Sequence, residues 1–235
     1  MQKIIFDTDP GIDDAMALLY LNSCEDLELV AITTIHGNAD IHKVTNNALY
    51  LKKIFDINIP VYMGSDISIS GNTPDNYPYF VHGHDGLGDI GIPKINTPIN
   101  SENASEALIR LSKTYPNELN IIAVGRLTNI ALAIQYDSNF SSRINQIIIM
   151  GGAFFQNGNV TQYAEANIYG DPEAAEIVFN SDIKTTMVSL DVTSKTRITM
   201  EDIKKLALKI NFMGDFLIGI NKTYSDNYFR IENRK

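Results

Sequence analysis

One cysteine, Cys24, stands in 235 residues. That excludes an internal disulfide and any cysteine-based metal knuckle, and Cys24 itself reads as a small side chain near a helix end rather than a nucleophile. Basic residues are scarce as well, 19 Lys and Arg against 28 Asp and Glu, for a net charge of −9. Scattered as they are, they offer no stripe for a phosphate backbone, so nucleic acid is excluded as a partner. No apolar run approaches the length of a membrane span, and "MQKIIFDTD" has too short an apolar run before its first aspartate to serve as a signal-peptide core. The expected location is the cytoplasm, with no membrane partner. Four histidines without metal-ligand spacing exclude a zinc site. No Pro/Ser-rich linker, low-complexity tract or internal repeat divides the chain, so residues 1–235 are expected to form a single domain.

What the chain does have is apolar residues, 44% of the total, in short β-branched runs that alternate with longer stretches of helical period. This alternation predicts strands at 3–6, 29–35, 61–63, 119–124, 146–150 and 184–190. Helices are predicted at 13–22, 41–55, 101–115, 128–136, 172–180 and 200–211. "IIAV" and "QIIIM" are apolar on both faces, as strands covered from both sides must be. The fold class is α/β: a doubly wound, mostly parallel sheet with helices on both faces. Ligands of such sheets collect at the carboxyl ends of the strands, where Asp7 to Asp9, His36 to Asn38, Gly125 with Arg126, and Gly151 with Gly152 would share one rim. Residues 71–100 have no convincing period and read as a long functional or mobile loop. Gly86, Gly88 and Gly91 in that loop spell G-x-G-x-x-G, but no strand precedes them and Pro93 follows, so a dinucleotide site is rejected.

"DTDPGIDDAM" places four aspartates within eight positions after the first strand. Pro10 and Gly11 make a turn, and Asp13 and Asp14 open a helix that either can cap. Capping covers one or two of the four, and Asp7 can accept from loop amides. Oxygen-only ligands crowded on one turn suit a hard cation such as Ca²⁺ or Mg²⁺; the alternative is a long solvated loop. A second cluster, "NGNVTQYAEANIYGDPEAA", carries Asn159, Glu165 and Asn167, side chains suited to vicinal hydroxyls or, blandly, to an Asx-turn-rich surface loop. Asp171 there is an N-cap with Pro172 at the first helical position. A third, "HGHDG", holds His82.

"DTDPGIDDAMALL", "AITTIHGN", "GRLTNIALA", "IIIMGGAF", "AEANIYGDPEAA" and "MVSLDVT" follow one another as in the nucleoside hydrolases of the inosine-uridine-preferring type. From Ile4 to about Tyr228 the chain resembles that family. The resemblance implies a ribonucleoside substrate and a Ca²⁺ cofactor held by Asp9, Asp14 and the carbonyl of Val124, with Asp9 also the general base for water. It implies that Asp13, Asn38, Asn159, Glu165 and Asn167 hold the ribose, that Met150 packs against it, and that His82, Tyr224 and Tyr228 line the base side. Asp7 matches a buried aspartate that supports the loop. His36, Arg126 and Ala166 join His82 where base preference can be set, and a homodimer or homotetramer is implied.

In the family an H-D-P segment soon follows the match to "TYSDNYF", its aspartate a further Ca²⁺ ligand and its histidine a proposed acid. Here the sequence runs "FRIENRK", so the domain is expected to be truncated at the C-terminus relative to the family. Hydrolysis by these 235 residues is expected to be weak or absent, since loss of a general acid costs about 10²- to 10⁴-fold in rate. Two other readings stay open: a non-catalytic nucleoside- or ribose-binding protein, or inert fragment, and a haloacid-dehalogenase-type phosphatase, which also opens with D-x-D after its first strand but lacks the Asp13-Asp14 pair.

Overall fold

A computed structural model describes residues 1–73, 77–97, 99–210 and 213–232, with side chains as far as 226. Its strands are β1 (Gln2–Thr8), β2 (Leu27–Thr34), β3 (Val61–Met63), β4 (Leu119–Ala123), β5 (Ile144–Met150) and β6 (Thr185–Val188). They form one sheet in the order β3-β2-β1-β4-β5-β6, and each adjacent pair is parallel. The helices are α1 (Ile12–Ser23), α2 (Ile41–Ile54), α3 (Tyr79–His82), α4 (Ala104–Thr114), α5 (Thr128–Tyr136), α6 (Phe140–Arg143), α7 (Ala166–Gly170), α8 (Pro172–Phe179), α9 (Leu190–Thr193), α10 (Met200–Ala207) and α11 (Gly214–Glu232).

Successive side chains on a strand point to opposite faces, and the core divides accordingly. Ile5, Ala31, Ile121, Ala123, Ile147 and Ile149 pack with Leu108 of α4, Ile130 of α5 and Val178 of α8. Their neighbours Phe6, Ile32, Ile122 and Val124 pack on the other face with Leu18 of α1, Leu51 of α2 and Leu217 of α11. Both faces are therefore covered by helices, as the apolar runs "IIAV" and "QIIIM" require.

Strand order runs outward from β1 in one direction and from β4 in the other, which makes the β1/β4 junction the switch point where α/β sheets bind ligands. Asp7 is in register with Thr33 of β2 and Ala123 of β4, so the exits of three strands open side by side.

Three local expectations change. The strand predicted for 184–190 ends at Val188, because Ser189 leaves the sheet for the N-cap position of the short α9. The helix predicted for 200–211 ends at Ala207, with Leu208 at its C-cap. Among its described residues the loop over 71–100 contains one helical turn, α3, whose four residues are too few to show a period.

Candidate active site

The aspartate turn is held from behind by the loop that follows β2. Gly11 is the N-cap of α1, and its N–H donates to Asp14 Oδ2 at 2.9 Å, closing the turn on itself. Thr8 Oγ1 donates to Asp14 Oδ1 at 2.6 Å, and Asn38 Nδ2 donates to Asp14 Oδ2 at 3.1 Å. Asn38 also donates through its backbone N–H to Asp9 Oδ2, 2.8 Å, and through Nδ2 to the Asp9 carbonyl, 3.0 Å. One asparagine thus fixes both carboxylates of the turn.

Two glycines make room for Asp9. A Cβ on Gly37 would fall within van der Waals contact of Asp9 Oδ2, and one on Gly125 would stand 2.8 Å from Asp9 Oδ1. The second contact places the exit of β4 against the aspartate turn, as expected for a switch point. Asp9 Oδ1 is buried and has no hydrogen-bond partner. Burial pushes the Asp9 carboxyl well above the ordinary carboxylate range, and the neighbouring Asp14 adds to this. Asp14 is pushed up to about 7, by burial first and by Asp13 second. Buried carboxyls whose charge is disfavoured both by burial and by a neighbouring carboxylate are the electrostatic pattern of a cation site.

Asp7 lies one layer deeper and serves the turn differently. Its Oδ2 accepts from Thr33 Oγ1 at 2.6 Å and from Asn129 Nδ2 at 2.9 Å. Burial raises its pKa to about 6 against those two bonds. Asn129 also donates to the Thr34 carbonyl and accepts from Ser65 N, so one side chain of the "GRLTN" segment links β1, β2 and the loop after β3. Sequence reading missed Asn129, Thr33 and Thr8; the signal available was that Asn129 lies inside a quoted motif.

The second group gathers at the exits of β4 and β5. Asn167 Nδ2 donates to the carbonyls of Val124, 2.8 Å, and Met150, 3.0 Å, and lies 3.4 Å from Met150 Sδ. Glu165 is buried, and its carboxylate caps α7 by accepting from Asn167 N and Ile168 N while reaching Gly152 N at 2.9 Å. Asn159 is exposed, and its Oδ1 accepts from Ala166 N at 2.9 Å.

On the opposite lip, His82 is buried against α1. Its Nδ1 accepts from Ile12 N at 3.3 Å and stands 3.9 Å from the exposed carboxylate of Asp13. Burial lowers its pKa, so at neutral pH the ring is uncharged with Nδ1 as acceptor and Nε2 carrying the proton. The Tyr224 ring lies 5.7 Å from it, centroid to centroid. The side chain of Tyr228 lies outside the described residues. His36 is fully buried, with Nδ1 donating to the Ser65 carbonyl and Nε2 unpartnered.

A hard cation is tested by donor chemistry. Asp9, Asp14 and the Val124 carbonyl are all oxygen donors, Asp9 Oδ1 is a buried oxygen without a partner, and a carbonyl keeps a second lone pair beside the Asn167 bond. The set fits Ca²⁺ in kind. In number it supplies part of the roughly six to eight oxygens that Ca²⁺ takes. Among the described residues no three His, Cys, Asp or Glu side chains gather into a complete metal cage.

The family model for inosine-uridine preferring nucleoside hydrolases matches residues 4–234. The chain belongs to this family. Among nucleoside hydrolase family relatives, it is 44% identical over 206 residues to uridine nucleosidase 1 of Arabidopsis thaliana, a match that takes in 87% of this chain and 61% of that one. With the inosine-uridine preferring nucleoside hydrolase of Crithidia fasciculata it shares 34% over 241 residues, 97% of this chain and 74% of that one. Of solved structures, a plant nucleoside hydrolase superposes with a TM-score of 0.95 at 38% identity, covering 99% of this chain and 73% of that one. A purine-preferring ribonucleoside hydrolase from Gardnerella vaginalis gives 0.94 at 32%, covering 99% and 75%. The chain therefore spans about three fifths of the length of the Arabidopsis relative.

Proposed function

We propose that this chain carries the ribose- and cation-binding residues of a ribonucleoside hydrolase site, one that cleaves the N-glycosidic bond to free base and ribose. The observation that carries the reading is the Asp9–Asn38–Asp14 cluster set against Gly125, with Asp9 Oδ1 buried and unpartnered. The family membership and the nucleosidase names of its relatives support it.

Asp9, Asp14 and the Val124 carbonyl would hold Ca²⁺. When bound, that ion would offset the repulsion between the two carboxylates and supply Lewis acidity toward water and sugar hydroxyls. Asp9, fixed through Oδ2 by Asn38, is placed to accept a proton from water as the water oxygen bonds to C1′. The C1′–N bond breaks with its electron pair going to the base, through an oxocarbenium-like sugar whose charge the carboxylates stabilise. A single displacement inverts the anomeric centre. Asn167 and Glu165 order the wall on which the ribose sits. Asp13, exposed on the lip, is free to take sugar hydroxyls. His82, neutral with Nε2–H available, faces the base side with Tyr224. The protein acts in the cytoplasm as a homo-oligomer.

The test is release of base and reducing sugar from uridine and inosine, with Ca²⁺ or with a chelator, for the wild type and Asp9→Asn. Slow, Ca²⁺-dependent release that Asp9→Asn abolishes supports hydrolysis. Ca²⁺-dependent binding of ribose without release supports the non-catalytic binding protein. Neither binding nor release rejects the site.

A further inference from the structure

Asp191, in the "MVSLDVT" segment, lies outside the machinery above and yet is the anchor of a rim loop. Its Oδ2 accepts from Phe154 N at 2.8 Å and from Ser189 Oγ at 2.9 Å, and its Oδ1 accepts from Phe155 N at 2.9 Å. Ser194 Oγ donates to Gln156 Oε1 at 3.2 Å, and Leu190 N donates to the Gly152 carbonyl at 2.9 Å. The exit loop of β5 is thus laced along α9 at Gly152, Phe154, Phe155 and Gln156. A charged acceptor that takes two consecutive backbone amides fixes the peptide planes between them.

The side chains of this fixed turn are left in water. Phe154 is 65% exposed and Phe155 98% exposed. Loops usually leave small or polar groups in solvent, and a clamped backbone that displays two adjacent phenyl rings is built to present them. Its root is the ribose wall: Gly152, two residues before Phe154, donates its N–H to the Glu165 carboxylate that also orders Asn167. Two flat rings, two and three residues beyond the glycine that Glu165 holds, match the flat group attached to the sugar.

We propose that Asp191 is a positioning residue that presents Phe154 and Phe155 as a stacking surface for the nucleobase of the bound nucleoside. This rests on the ribonucleoside site proposed above. The surface is selective for a planar aromatic group and indifferent between purine and pyrimidine, because every base offers a π-face.

The probe is pseudouridine, whose base is joined through carbon and resists hydrolysis, titrated beside free ribose in the presence of Ca²⁺. The proteins are the wild type, Phe154→Ala, Phe155→Ala, Asp191→Ala and Asp191→Asn. Wild type is expected to bind pseudouridine more tightly than ribose. At least one phenylalanine variant should lower that preference about tenfold, as loss of one base–aromatic stack does, while ribose affinity stays within about twofold. Asp191→Ala should lower it similarly with both rings still in the chain, and Asp191→Asn, which keeps one acceptor oxygen, should recover part. Both phenylalanine variants leave folding intact, since the rings make little contact in the structure. An unchanged pseudouridine-to-ribose ratio in both of them overturns the proposal and leaves the ribose site standing. So does conversion of an oligomer to monomers by either variant with the ratio unchanged, which would make the rings a contact between copies. Binding of neither ligand by the wild type overturns the site and the proposal together.

Discussion

Gly37→Ala adds one methyl group at the tightest point of the rim. The new Cβ overlaps Asp9 Oδ2 and comes within 2.9 Å of Asp9 Cγ. Gly37 does not occupy the left-handed region, so its backbone accepts alanine and the whole cost is this collision. Relief requires the Asp9 carboxylate to swing away and surrender the 2.8 Å bond from Asn38 N. Loss of a hydrogen bond to a charged group costs about 1.5–3 kcal/mol, and an off-rotamer side chain about 0.5–1.5 kcal/mol. The sum, about 2–4.5 kcal/mol, should appear in denaturant unfolding. The cause is isolated by repeating the substitution in an Asp9→Ala background. There the overlapping oxygen is gone, and Gly37→Ala should cost about 1 kcal/mol or less, a coupling of about 2 kcal/mol between the two positions. Equal costs in the two backgrounds would refute the packing argument. Ca²⁺ should raise Tm in the wild type and have no effect on Gly37→Ala, because the displaced carboxylate can no longer serve as ligand.

Other outcomes follow from the same contacts. Asp171 accepts from Ile69 N and Thr128 Oγ1 through Oδ2 and caps α8 through Ala174 N; Asp171→Ala should cost about 3–5 kcal/mol in denaturant unfolding, from a lost cap, a stranded buried hydroxyl and a half-buried amide left without its acceptor. Asn167→Ala strands the Val124 and Met150 carbonyls on one wall, and should weaken ribose binding at least tenfold in calorimetry for a stability loss of about 1–2 kcal/mol. Lys113 and Arg143, with Asn139 N, hold the Asp137 carboxyl down at about 2. Its folded pKa is therefore below its unfolded value of 3.8, and the stability it contributes is complete above that value and lost as pH falls toward 2. Asp137→Asn should flatten the fall of Tm in that acid window and leave the neutral region with the same slope.

The sheet was legible because both core faces write themselves into adjacent letters. Phe6 beside Ile5, and Ile122 beside Ile121, belong to opposite clusters, and an apolar run covered from both sides is the only arrangement that buries both. The Asp171 N-cap was legible for a local reason, since its acceptor and the Ala174 amide are three residues apart. Asn129 was not, because it reaches Asp7 across 122 positions, and nothing near either residue encodes the meeting. In the sequence the aspartate turn reads as too much charge for capping alone. The structure separates the aspartates: Asp14 closes the turn, Asp7 Oδ2 is taken by Thr33 and Asn129 beneath it, and Asp9 Oδ1, like Asp7 Oδ1, is buried without a partner, but beside the β4 exit at Gly125. Glu165, expected at the ribose, has its carboxylate oxygens on the backbone amides of Gly152, Asn167 and Ile168, contacts that no sequence pattern announces.

The most direct test of the rim as a cation-dependent sugar site is calorimetric titration of ribose into the wild type and Asp9→Asn, each with Ca²⁺ and with a chelator. Saturable binding by the wild type with Ca²⁺, weakened at least about tenfold by the chelator and by Asp9→Asn alike, is the predicted result. Equal ribose affinity in all four titrations, or binding in none of them, would contradict it.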